Sequence, residues 1–419
     1  RLVLRCKLRP LVEHTKMAAA TGAFGYNSSA NTDLFYTLPP IQITSGAGTY
    51  VHPIPKGCIA YTLEGVGAGG SGGVARYQGK ATGGSGGAWG KIFRTATSGA
   101  TSITAILGAG GVGVTITASG ATIGNDGSST TVSDGAITLT LPPGKAGNAS
   151  QSLTTAASAT VGSVPTVNDG RFILTCLGST SGAVAGTSAT GGGATGGGAC
   201  GNPDGRVRAN SGAVGASVLD TELNRATGGA SINAGSGDCI STGACSTGGA
   251  GVFASVASTS AGAKVGGGSK ASGLSFFNGQ TTLSSLIIND LLYDQGYGLG
   301  GAIWSSYDDP SPPQGAGTGG GARGGVTSVG ANGSHKGGTG GMFETGANGA
   351  PAGTGIGGIF AASGAVSSNV TAASVKTSGA GGFGCGSGGV AEHTNLGTSL
   401  NSGAGGDAFV RIQFFIRKP

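Results

Sequence analysis

GTYVHPIPKGCIAYTLEGVGAGGSGG, residues 48–73, carries the pattern on which the fold turns. Gly48-Thr49-Tyr50-Val51 and Cys58-Ile59-Ala60-Tyr61-Thr62-Leu63-Glu64 mix β-branched and aromatic residues with small ones. They read as two short strands separated by Pro53, Pro55 and Gly57. The second strand runs straight into Gly65–Gly73, almost pure Gly, Ala and Ser. Such a run has no propensity for strand or helix. A strand feeding a glycine run is therefore the unit to look for elsewhere.

The same unit recurs outward from this stretch. Ala88–Arg94 and Ser102–Leu107 read as strands bounded by glycine. Thr130–Val132 and Ala136–Leu141 flank Asp134-Gly135, a strong hairpin signal, and Pro142-Pro143-Gly144 closes that pair. From about 145 to 275 the chain is Ala, Gly, Ser and Thr, with apolar islands such as Arg171–Leu177 and Val252–Val256. Gly191-Gly192-Gly193 and Gly196-Gly197-Gly198 suit an extended polyproline-II-type conformation. That conformation has no internal hydrogen bonds, so such segments must bond to one another or to water. No strict Gly-X-Y repeat exists, which excludes a collagen triple helix in favour of packed polyglycine helices.

Composition supports order. Gly (92) and Pro (14) make up about a quarter of the 419 residues, where low complexity is the default expectation. Only 10% of residues are charged, however, and disordered chains combine low hydrophobicity with high charge. The net charge of +6 is concentrated at the start, where Arg1, Arg5, Lys7, Arg9 and Lys16 oppose Glu13 alone. No second basic cluster with interleaved aromatics follows, so nucleic acid is not an expected partner. The composition changes at Met17, which suggests that translation starts there and that 1–16 is an upstream extension; a basic N-terminal arm is the alternative. No secretion signal and no membrane-spanning run is read in the chain. An extracellular-type chain without a signal suits a phage particle component released by lysis. Seven cysteines at irregular spacing include no CxxC pair, so a zinc site is not expected. Cys239 and Cys245 could form a disulfide, or the cysteines could be small buried residues among glycines.

Three stretches resemble a known family. The 48–73 stretch resembles the opening of the glycine-rich domains of phage tail fibres and related adhesins, where a strand ending in GT-x-V-P leads through a second strand into a GAGG run. ILGAGGVG at 106–113 is similar to their second hallmark, and GAGGDAFVRIQFF at 403–415 resembles their closing one. The order is right, and the hallmarks bracket most of the chain. The resemblance implies a virion fibre or tip protein, often oligomeric, that attaches to a host surface. It identifies no receptor.

Enzyme motifs lack their context. Gly65-x-Gly67-x-x-Gly70 and Gly108-x-Gly110-x-x-Gly113 match a dinucleotide fingerprint, but no helix follows to hold a pyrophosphate. Lys80, Lys91 and Lys145 follow glycines without the rest of a P-loop. Gly69–Gly73 and Gly83–Gly87 match GxSxG, again without the helix of a nucleophile elbow. Glu392-His393 reads as a solvated pair. Neither a cofactor nor an enzymatic activity is expected.

Residues 281–309 differ from the rest. Leu283, Leu286, Ile287 and Leu291 recur at helical spacing between a Thr281/Thr282 cap and Gly296. Tyr293, Tyr297, Trp304, Tyr307, Asp308 and Asp309 then supply aromatic faces and acceptors suited to a sugar or a protein surface. The competing reading makes them the small core of an insertion. Asp308 and Asp309 are adjacent and would face opposite ways on a strand, which weakens a glycosidase pair.

The expected fold is all-β: an antiparallel framework with packed polyglycine-II-like segments and one short helical insertion. The expected divisions are 1–45, an arm or attachment segment; 46–275, a glycine-rich β domain; 276–313, the insertion; and 314–419, a glycine-rich segment with a closing strand. The expected setting is a virion or the extracellular space. Expected partners are copies of the chain, a host glycan or outer-membrane protein, and other virion proteins through 17–45. Subunits of a filament or sheath and, remotely, a polysaccharide-degrading enzyme are the alternatives.

Overall fold

The computed structural model describes residues 35–77, 79–97, 99–151, 156–157, 159–160, 162–169, 173–178, 180–181, 192–198, 200–201, 224–226, 303–304, 322–325, 334–337, 366–368, 375–392 and 399–419. These residues form β-strands and extended segments, and no helix occurs among them. The expected helix at 282–293 lies outside the described residues.

Eleven strands build the framework: β1 (Phe35–Thr37), β2 (Ile41–Ile43), β3 (Gly48–Pro53), β4 (Cys58–Val66), β5 (Trp89–Thr95), β6 (Ser102–Leu107), β7 (Thr130–Ser133), β8 (Thr138–Leu141), β9 (Thr166–Val167), β10 (Leu174–Cys176) and β11 (Phe409–Arg417). One antiparallel sheet runs β1-β11-β4-β5-β10, with β2 also paired to β11; the other runs β9-β8-β7-β6-β3. The closing strand thus returns beside the early ones, pairing Ile412 with Leu63 and Phe414 with Tyr61. Residues 35–37 and 41–43, within the segment read from sequence as an arm or attachment segment, pair with this strand. The turn after β7 spans 134–137, two residues longer than the Asp-Gly signal suggests, with Gly135 at φ +90°.

The two sheets face each other across one core. Tyr61, Leu63, Ile92, Ile412 and Phe414 come from the first sheet; Ile103, Leu107, Val132, Leu139 and Leu141 come from the second. Period-2 alternation puts these residues on the inner faces. One end of the sandwich is closed by a buried polar cluster. Asp134 at the β7–β8 turn accepts hydrogen bonds from the N–H groups of Ala136 (2.9 Å) and Ile137 (2.8 Å), and its other oxygen meets Tyr61 Oη and Arg94 Nε. Burial raises the Asp134 carboxyl, but the hydrogen bonds from Ile137, Tyr61 and Ala136 and the Arg94 charge outweigh it, so its pKa lies below the usual value. Burial first, and then the hydrogen bond to Asp134, push the Tyr61 phenol well above its usual range.

At the other end, most of the longer strands run into or out of glycine-rich segments. β4 continues as 67–73, β6 as 108–113 and β8 as 142–148, while 82–88 leads into β5 and 402–408 into β11. Partners within this bundle recur every third residue. Gly67, Gly70 and Gly73 donate to Ala88, Ser85 and Thr82; Thr82, Ser85 and Ala88 donate to Asn148, Lys145 and Pro142. Thr195, Gly198 and Gly201 donate to Ala81, Gly84 and Gly87 in the parallel sense. A period of three is that of the polyproline-II helix, and it differs from the period of two of a β-ladder. The expected polyglycine packing is therefore present in the described residues.

The 67–73 segment is the axis of the bundle. It bonds to six neighbours: 82–88, 108–113, 124–127, 142–148, 385–390 and 402–406. Six neighbours around one rod is hexagonal packing, which leaves no side to the solvent. A Cβ on Gly70 would lie 2.5 Å from the carbonyl carbon of Lys145 and closer still to its oxygen. Where serine is used at three of these positions, its hydroxyl replaces a backbone partner. Ser71 Oγ accepts from Asn125 N–H (2.7 Å), Ser85 Oγ from Lys145 N–H (2.7 Å) and Ser387 Oγ from Gly72 N–H (2.9 Å).

Two outcomes test this account. Gly70→Ala is expected to destabilise the protein by at least ~3 kcal/mol in denaturant unfolding, because the Cβ has no space. Gly99→Ala, with nothing within 4 Å and φ +116°, is expected to cost only about 1 kcal/mol of backbone strain. Because folding lowers the Asp134 pKa, its ionised form stabilises the fold above the unfolded carboxylate value of about 3.9. That contribution disappears as pH falls through the folded value. Urea melts below about pH 4 are therefore expected to show a shallower loss of stability in Asp134→Asn than in the wild type.

Candidate functional site at the distal end of the bundle

The axial segment leaves the sandwich at Val66 and runs to Val74–Arg76, and the chain turns back before Lys80–Ala81. Ten residues at ~3.1 Å each place that turn about 30 Å from the sandwich. Several other segments reach the same end. Val74–Arg76 pairs with Gly120–Thr122 and with Val390–Ala391; Lys80–Ala81 pairs with Ala149–Ser150 and with Gly193–Ala194. Thr115–Ile116 pairs with Leu400–Asn401. Short β-strands thus replace polyglycine helices at the tip, where residues with side chains resume.

Arg76 anchors the tip. Its Nε lies 2.9 Å from Glu392 Oε2, and its Nη1 donates to the Thr117 carbonyl at 2.7 Å. Gln151 Nε2 donates to the Arg76 carbonyl at 2.9 Å, and Gly79 N–H to the Glu392 carbonyl at 3.0 Å. These bonds join four chain excursions that are distant in sequence. Both ionic side chains are almost wholly buried, at 2% and 0% exposure. Glu392 is therefore no solvated residue, and the sequence-based reading of Glu392-His393 is corrected at Glu392: its strand lies between Val366–Ser368 and Val74–Arg76 inside a sheet, and Arg76 meets its carboxylate. His393 lies outside the described residues. Burial also pushes the Lys80 ammonium below its usual pKa.

Above this ion pair stands Tyr77. Its φ of 65° is the one left-handed value at a non-glycine position among the described residues. The residue is 53% exposed. An L-residue held in this region costs about 1–2 kcal/mol, and such strain clusters at sites of function. The turn is tight as well, since a Cβ on Gly79 would lie 2.5 Å from the Ala75 carbonyl carbon. The arrangement offers an exposed aromatic ring to the solvent, which suits stacking on a sugar or packing in a partner's pocket.

Of the six binding candidates read from sequence, only Trp304 is described. It lies in the strand Ile303–Trp304, paired in parallel with Ala322–Gly325. That strand is one edge of a seven-stranded sheet, which continues through Ala322–Gly325, Ser334–Gly337, Val366–Ser368 and Val390–Glu392 to Val74–Arg76 and Gly120–Thr122. Trp304 and Arg76 thus share a sheet. Tyr293, Tyr297, Tyr307, Asp308 and Asp309 lie outside the described residues. Tyr77 escaped the sequence reading because it is a lone aromatic. Its signal was the bulky Arg76-Tyr77-Gln78 interruption between two glycine runs.

The remaining motifs are structural. Ser71 and Ser85 are fully buried and their hydroxyls accept backbone N–H groups, so neither is an exposed nucleophile. No group of three or more His, Cys, Asp or Glu is placed to hold a metal among the described residues. A search of protein-family models finds no match to this chain, and a search of curated proteins finds none either.

Breaking the anchor is expected to loosen the tip. Glu392→Gln leaves the Arg76 guanidinium buried beside a neutral amide and is expected to lower unfolding stability by ~3 kcal/mol. The double variant Arg76→Met/Glu392→Leu is expected to recover most of that loss, as measured in denaturant melts.

Proposed function

We propose that the protein is a virion structural component, a tail-fibre or tip adhesin that attaches the particle to a host surface. The polyglycine bundle acts as a stiff, side-chain-poor stalk, and the distal turns carry the contact surface. The observation behind this reading is Tyr77, exposed and held in a strained backbone conformation at the far end of the stalk. A contact residue in that conformation is pre-organised, which lowers the entropy lost on binding. The sequence resemblance to phage adhesin domains points the same way. The ligand class is a host glycan or an outer-membrane protein. In this reading the chain works as a homo-oligomer, is joined to other virion proteins through residues 17–45, and acts by binding without catalysis.

A second reading, a subunit of an extracellular filament or sheath, draws on the outer face of the second sheet. Thr49, Val51, Thr104, Ile106, Thr131 and Thr140 lie there in register, with Val51 and Ile106 exposed, and none is charged. An uncharged face of this kind suits packing against another copy.

Tyr77→Ala and Tyr77→Gly separate the two. The adhesin reading expects both variants to lose at least ~30-fold in affinity for cells or for extracted surface glycans of a susceptible host. Tyr77→Gly should meanwhile melt no lower than the wild type, because glycine relieves the left-handed strain. Unchanged binding in both variants would remove Tyr77 from the site. Open-ended filaments of the purified protein in electron microscopy would favour the second reading.

A further inference from the structure

Among the described residues, Cys200 and Cys385 meet inside the bundle although 185 positions separate them. The Cys200 N–H points at the Cys385 sulfur, at 3.2 Å. The Cys200 Cβ lies 3.0 Å from where a Cβ on Gly384 would stand, so this side chain starts toward the 384–385 turn. The register is pinned on both sides of the pair. Gly386 and Gly389 donate to Gly198 and Thr195 in antiparallel order, and Gly201 donates to Gly87. Gly384 takes φ 65° to make the turn, which bonds back through Cys385 N–H to the Gly382 carbonyl at 2.9 Å. Both cysteines are fully buried.

We infer that Cys200 and Cys385 form a disulfide cross-link site that ties the bundle segment before the long 202–374 excursion to the one after it. Both stand as free thiols in the structure, and their segments are backbone-bonded neighbours, so closing the bond calls for a side-chain rotation at a contact already made and not for bringing distant segments together. The step balances with a small-molecule disulfide such as oxidised glutathione. One thiolate attacks it and releases a thiol. The second thiolate then attacks the mixed disulfide, forms the Cys200–Cys385 bond and releases the second thiol. Two protein thiols are oxidised and one external disulfide is reduced. Burial makes the reaction depend on transient opening, so the link is expected to form during folding or slowly near the melting temperature. Cys176 is the competing thiol. It is also buried; its sulfur lies 3.5 Å from the Leu177 carbonyl, and its backbone carbonyl packs against Gly201. The inference does not depend on the adhesin reading.

The test is a peptide map. The intact protein is incubated with oxidised glutathione a few degrees below its melting temperature, its thiols are blocked, and it is digested without reductant. A linked peptide joining Cys200 to Cys385 is expected, together with a melting temperature raised by about 6 °C that a strong dithiol reverses. Cys385→Ser is expected to remove this redox-dependent shift, and Cys58→Ser to keep it. Full blocking of both thiols after incubation would overturn the proposal, as would a map in which either is joined to Cys176 or any other cysteine. Because the map uses the native chain, it stays decisive even if Cys385→Ser fails to fold.

Discussion

A backbone that binds six others has room for few side chains, and only small ones. In the 67–73 segment successive N–H and C=O groups point to different neighbours, three residues to the turn, and the spaces between rods are already filled by carbonyl oxygens. This steric limit explains the composition. Glycine loses more entropy on ordering than any other residue, and here that cost is offset by pairing polar backbone groups deep in the protein and by close backbone packing. The few serines occur where a hydroxyl can take over a backbone acceptor.

A polyglycine bundle has no apolar surface of its own to drive collapse, so the rest of the molecule supplies it. The sandwich core of Tyr61, Leu63, Ile412, Phe414 and their partners buries large side chains at one end. Because its strands continue into the rods, their registers become the registers of the bundle. The outer face of the first sheet marks the junction: Glu64 accepts from Trp89 Nε1 at 3.1 Å and lies across from Lys91 on one side and Arg411 on the other. At the opposite end of the bundle, short strands resume and the Arg76–Glu392 pair holds the turns together. Function, in the reading proposed above, is placed where side chains are again possible.

Much of this was legible in the sequence. Strands at 48–51, 58–64, 88–94, 102–107 and 408–417 follow from β-formers bounded by glycine, and the observed strands differ from them by at most two residues at either end. The polyglycine packing followed from the absence of any other ordered conformation for runs such as Gly196–Gly198. The strands at 35–43 were not legible, since Leu38-Pro39-Pro40 reads as a break; pairing with β11 overrides that local signal. The burial of Glu392 was invisible as well, because its counter-charge lies more than 300 positions earlier.

The sequence by itself determined the kinds of element and their alternation, because β-propensity, glycine content and turn chemistry act over a few neighbouring residues. Tertiary structure alone decided which glycine run is the axis, which cysteines meet and which aromatic stands exposed at the tip. Those outcomes depend on which of many nearly identical glycine segments become neighbours. One such segment carries almost no local information to distinguish it from another, and that choice is made through the registers of the strands to which the segments are joined.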